Sequence, residues 1–93
     1  MTAEELKNQK SPDKLSSPLL KAMWMAAHDD WDGAHNIAQD VDTPDGARAH
    51  GYLHWVEGDL WNADYWYRRA GMSRPNTSLD EEWHNITNQL LAS

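Results

Sequence analysis

Residues 57–71 read EGDLWNADYWYRRAG, with four aromatic rings inside the seven positions from Trp61 to Tyr67. Whether those rings are packing between helices or a surface offered to a partner decides how the chain is organised. Gly58 and Asp59 punctuate the stretch, a glycine that stops one helix and a carboxylate that caps the next. Gly71 closes it. The spacing predicts a helix over about 60–70 with Leu60, Ala63, Trp66, Tyr67 and Ala70 on one inward stripe. Trp61 and Tyr65 lie four apart on a different face, followed by Arg68 and Arg69, and have no obvious partner.

The same punctuation recurs in both directions. Ser17-Pro18 and Thr43-Pro44 each set an N-cap before proline at the first helical position, predicting helices over about 18–28 and 44–57. Asp30 caps a helix over about 31–41. Ser78 with Glu81 reads as a capping box for a last helix over about 79–91. The inward stripes are Leu20, Met23, Trp24 and Ala27; Trp31, Ala34, Ile37, Ala38 and Val41; Ala49, Tyr52, Leu53 and Val56; Leu79, Trp83, Ile86 and Leu90. Thr2 with Glu5 forms a further capping box, and Ser11-Pro12 ends the short first helix that it opens. Residues 1–16 are therefore a short N-terminal helix or a flexible arm, and residues 17–93 a single domain. No segment alternates with a period of two, so no strand is expected.

Sliding the chain on itself by 29 residues sets Asp30-Trp31 on Asp59-Leu60, Ala34 on Ala63, Ile37 on Trp66, Ala38 on Tyr67 and Val41 on Ala70. Leu20, Met23, Trp24 and Ala27 fall on Ala49, Tyr52, Leu53 and Val56. Apolar or small residues meet at each of these pairs after the caps, as two stacked helix pairs require. Gly58-Asp59-Leu60, Ala63, Trp66-Tyr67, Ala70 and Pro75, with Gly51 in the preceding helix, resemble the second half of a tetratricopeptide repeat. Asp30-Trp31, Ala34, Ala38 and Ala22 give a weaker first copy, with Asp29 where the family has glycine. The period of 29 is shorter than the family's roughly 34 residues, and Pro18 and Ala47 replace its early aromatic. The phrases DWDGAHNIAQD and EGDLWNADYWYRRAG also resemble a family of small uncharacterised bacterial proteins, which implies no activity.

The resemblance implies an all-α fold of two stacked antiparallel helical hairpins with a C-terminal helix covering one end. Small residues at Ala22, Ala34, Gly51 and Ala63 would let paired helices approach closely. It also implies a groove lined by the first helix of each pair, with Met23, Arg48, Tyr52 and Trp55 facing a bound peptide. The family's clamp for C-terminal carboxylates needs Lys and Asn on those helices, and neither occurs suitably here, so that ligand is not implied. Two repeats fall short of the three or so that stabilise such stacks, so the Trp83 helix and a second subunit are the expected covers.

Composition narrows the function classes. Eight basic against fifteen acidic residues give a net charge of -7, which repels phosphate backbones and speaks against nucleic acid. There is no cysteine, hence no thiol chemistry or disulfide framework. MTAEELKNQK has no apolar segment of a secretory signal. LLKAMWMAA is too short to span a bilayer and contains Lys21, so a soluble, cytoplasmic protein is expected, with no membrane role. No phosphate-binding glycine loop or nucleophile motif occurs, and Glu81-Glu82 suit a helix's first turn, so no enzyme and no cofactor are expected.

Two histidine groups have ligand spacing. His50, His54 and Glu57 share one helix face at i, i+4 and i+7, and His28, Asp29, Asp32 and His35 straddle the first turn. Solvated polar faces and caps account for both, and no metal is assigned. Arg68, Arg69 and Arg74 could hold a carboxylate at a groove edge, but the favoured reading is positive charge in a helix's last turn. The expected role is a protein–protein interaction or self-association module whose partner is a protein, a peptide or a second copy of the chain. Its contact residues would be Met23, Arg48, Tyr52, Trp55, Trp61 and Tyr65. The alternative is a small-molecule or metal-binding helical domain.

Overall fold

The computed structural model describes residues 1–93 as six α-helices: α1 (Ala3–Lys7), α2 (Pro18–Ala27), α3 (Trp31–Ala38), α4 (Pro44–Val56), α5 (Leu60–Arg69) and α6 (Leu79–Ala92). No strand is present, and no helix is long and apolar enough to cross a membrane. Local chemistry sets the boundaries. Thr2, Ser17, Asp30, Thr43, Asp59 and Ser78 each accept the backbone N–H of the third residue of their helix. Such caps satisfy donors that a helix start leaves free, and each contributes about 1 kcal/mol. The capping box at Thr2 and Glu5 is complete. At Ser78 it is half formed, because the Glu81 carboxylate accepts the Ser78 hydroxyl. Helix α3 ends at Ala38, earlier than expected, where tight backbone turns through Asp40 and Val41 lead to the Thr43 cap.

The turns α2–α3 and α4–α5 share one conformation, 29 residues apart. Asp29 has φ 62° and Gly58 has φ 86°. Each is followed by an aspartate whose N–H donates back across the turn at 2.9 Å, Asp30 to the Met25 carbonyl and Asp59 to that of His54. Asp29 thus adopts the left-handed conformation that glycine takes without strain. The helix starts are out of step with the turns: α4 has 13 residues and α2 has 10, so the first helices are not equal copies.

Helix α2 packs on α3, α4 on α5, and α4 also contacts α3 and α2. Ala22, Ala34, Gly51 and Ala63 are all buried at these contacts. A Cβ on Gly51 would stand 2.8 Å from Cδ2 of Tyr67 and 3.1 Å from the Ala63 carbonyl oxygen. The α4–α5 approach therefore needs a residue without a side chain. Helix α6 rests on α4, α2 and α1, with Trp83 buried and its indole N–H donating to the Met23 carbonyl at 2.9 Å. It lies over the first helices of the two pairs, whereas the sequence suggested one end of the stack.

Residues 1–16 form the short helix and dock. Leu6 and Leu15 are buried in the same core as Leu20, Met23, Leu53 and Ile86. The Trp24 indole N–H donates to the Gln9 carbonyl at 2.9 Å. Two expected inward residues are exposed instead: Val56 and Leu60 flank the α4–α5 turn, beyond the reach of a facing helix. Thr87 of α6 is buried with its hydroxyl unpaired.

Candidate functional site

Three surfaces carry the side chains singled out in the sequence. The first is where α6 meets α4. Glu82 is 0% exposed yet fully engaged: Arg48 donates Nε and Nη2 to its two oxygens at 3.0 and 2.9 Å, and the Tyr67 hydroxyl donates at 2.8 Å. Three charge-assisted donors offset the cost of burying a carboxylate. Arg48 also donates to Gln89, which donates to Asp45. Burial, reinforced by Glu82, drives the Tyr67 hydroxyl far above the usual tyrosine range; burial takes Tyr52 up to about 12. The residues expected to line an open groove are thus consumed. Met23 is 1% exposed, Tyr52 is buried, and Arg48 is tied to α6. Trp55 is half-buried, edge-on to Tyr67 and beneath the Arg74 guanidinium at 5.4 Å.

The second surface lies between α3, α4 and α5. His35 of α3 meets His50 of α4 with their Nε2 atoms 3.0 Å apart, and His54 stands one turn further along α4. One ring nitrogen of each lies within 4.8 Å of the others. Trp66 stacks on His50 with centroids 4.0 Å apart, and Trp31 stacks on His35 at 4.7 Å. Glu57 accepts from Nδ1 of His54 at 2.7 Å when that nitrogen is protonated. His50 is 5% exposed; burial, then His35 and His54, push its pKa down to about 4. Burial and His54 also lower His35. The sequence grouped His50 with His54 and Glu57 but placed His35 with His28. The structure moves His28 away, onto the Trp24 ring at 3.9 Å and the Lys7 carbonyl at 2.8 Å. Asp29 and Asp32 remain exposed.

The third surface is the outer side of α5, a helix whose backbone packs against α4 and which reaches α6 only through Tyr67 on its inner side. Trp61 is 73% exposed and Tyr65 36% exposed, their rings stacked at 6.2 Å with planes 13° apart. Arg69 continues the row, donating to the Tyr65 hydroxyl at 3.1 Å and sitting over the Trp66 ring at 5.2 Å. Arg74 is engaged separately, with Asp64 at 2.7 Å, and Arg68 is exposed.

The open clefts favour none of these surfaces as a small-molecule site. One, between Pro18, Leu20, Val41 and Leu90, holds about 300 Å³, and a second, beside Trp66 and Arg69, about 240 Å³. Drug-sized ligands occupy roughly 300–1,000 Å³. Comparisons with protein-family models, with curated proteins and with solved structures return no match.

Proposed function

We propose that the protein is a small tetratricopeptide-like interaction module of the cytoplasm, which docks a second copy of its own chain on the outer ridge of α5. Helices α2–α3 and α4–α5 are then two stacked, shortened hairpins. The shared left-handed turn at Asp29 and Gly58 supports this. In such a stack each hairpin has a face that its neighbour covers. Helix α6 already lies on the first helices, so the ridge of α5 is the face left for another chain.

The observation that carries the proposal is Trp61, 73% exposed and stacked on Tyr65, on the outer side of a helix whose backbone packs against α4 alone. Exposed large aromatics in a row are the usual anchors of protein interfaces. Their spacing also fits a two-fold contact. Trp61, Tyr65 and Arg69 are four residues apart, so two α5 helices crossing antiparallel at Tyr65 bring Trp61 of each opposite Arg69 of the other. That arrangement is self-complementary, pairs each ring with a cation, and sets no two Arg69 guanidinium groups against each other.

Light scattering on untagged protein over a range of concentrations tests it. The expected mass approaches twice the 10.7 kDa of one chain, and returns to the single-chain mass in a Trp61→Ala/Tyr65→Ala double variant. A wild-type mass that stays at one chain throughout, or a dimer the double variant leaves intact, would contradict it.

A further inference from the structure

We propose that His35, His50 and His54 form a binding site for one divalent late transition-metal ion of the zinc class. The three imidazoles come from two helices and converge from both sides of the α3–α4 contact, one nitrogen of each within 4.8 Å of the others. A tetrahedral ion at about 2.0–2.1 Å from each nitrogen holds its donors roughly 3.3–3.4 Å apart. The His35–His50 pair, at 3.0 Å, need only open by a few tenths of an ångström, while His54 closes in.

The surroundings have what such a site requires. Glu57 holds Nδ1 of His54, leaving Nε2 for the ion, and a carboxylate behind a ligating imidazole both orients it and raises its basicity. Trp31 and Trp66 fix the ring planes of His35 and His50. Ring stacking alone explains where each imidazole sits. It does not explain why three imidazoles converge with a single hydrogen bond among them. An imidazole set excludes magnesium and calcium, which take oxygen donors, and selects zinc, copper(II) or nickel. The fourth position is left to water or an added ligand.

Zinc chloride titrated calorimetrically into untagged protein at pH 7.5 is the test. One ion per chain is expected, with Glu57→Gln weakening affinity by about 10–100-fold and His35→Gln or His50→Gln weakening it further. His28→Gln and His84→Gln leave it unchanged, and so does Trp61→Ala/Tyr65→Ala, since the site lies within one chain. Should a ligand variant lose helicity, the visible spectrum of bound cobalt(II) decides in its place: four-coordinate bands in the wild type, altered in Glu57→Gln. Absence of one-to-one binding would overturn the assignment. So would affinity that survives His35→Gln in a folded protein, falls equally in His28→Gln, or disappears in the α5 double variant.

Discussion

The face shared by α2 and α4 and the outer face of α5 are built from similar materials: large aromatic rings, an arginine in the row, acidic residues nearby. On the first, α6 arrives with Trp83 and Glu82. Glu82 then disappears from solvent because Arg48 and Tyr67 saturate both its oxygens. On the second no helix arrives, and Trp61, Tyr65 and Arg69 satisfy one another along a single helix. A charged or aromatic residue becomes structural where another segment brings complementary groups to it. Where none does, the same chemistry remains available to another molecule.

The largest effect should come from opening the covered face. Glu82→Ala strands a partly buried guanidinium and a buried hydroxyl, and is expected to cost about 3 kcal/mol in urea unfolding. A loss below about 1 kcal/mol would mean that Glu82 is not the keystone of this face. Gly51→Ala tests the same region from within: its new Cβ meets a Tyr67 ring held in place by Glu82, so a loss of about 1–3 kcal/mol is expected. Unchanged stability would show that α4 and α5 can part at little cost.

Acid probes the ground between the two faces. The pKa of His50 falls from the ordinary 6.5 to about 4 on folding. Below pH 6.5 the unfolded chain therefore takes up a proton that the folded chain refuses. Stability should be full above about pH 6.5 and decline by on the order of 2 kcal/mol as pH falls toward 4, a decline that His50→Phe removes. His84 runs the other way, raised chiefly by its hydrogen bond to Glu4. Its contribution is present below pH 6.5 and fades as pH rises through its raised value, and Glu4→Gln should abolish that trend in unfolding measured from pH 6 to 9. The smallest effect on single-chain stability belongs to the ridge: Trp61→Ala/Tyr65→Ala in dilute solution should stay within about 0.5 kcal/mol of wild type.

Helix starts were legible in the sequence because caps are local, whereas the early end of α3 at Ala38 was not. Ser17, Asp30, Thr43, Asp59 and Ser78 each act on an amide three residues away. The stripes that flank them were legible for the same reason, except at Val56 and Leu60, where no facing helix reaches. The exposed pair Trp61 and Tyr65 also stood out, lying off the inward stripe of its own helix. What depended on distant partners did not show. Glu82 looked like an ordinary first-turn carboxylate, because Arg48 lies 34 residues and Tyr67 15 residues away. His35 found His50 only through the crossing of α3 and α4, and no spacing rule spans that. The placement of α6 on the first helices, which buries Met23 and Tyr52, was equally a matter of tertiary packing.

Amide hydrogen exchange, resolved by helix and measured over a hundredfold range of protein concentration, tests the contrast between the two faces most directly. Protection of α5 should rise with concentration while that of α6 and α2 stays constant, because one face is closed by its own chain and the other is the face proposed to dock a second copy. Protection that is independent of concentration everywhere, or that rises in α6 and α2 instead of α5, would contradict the account.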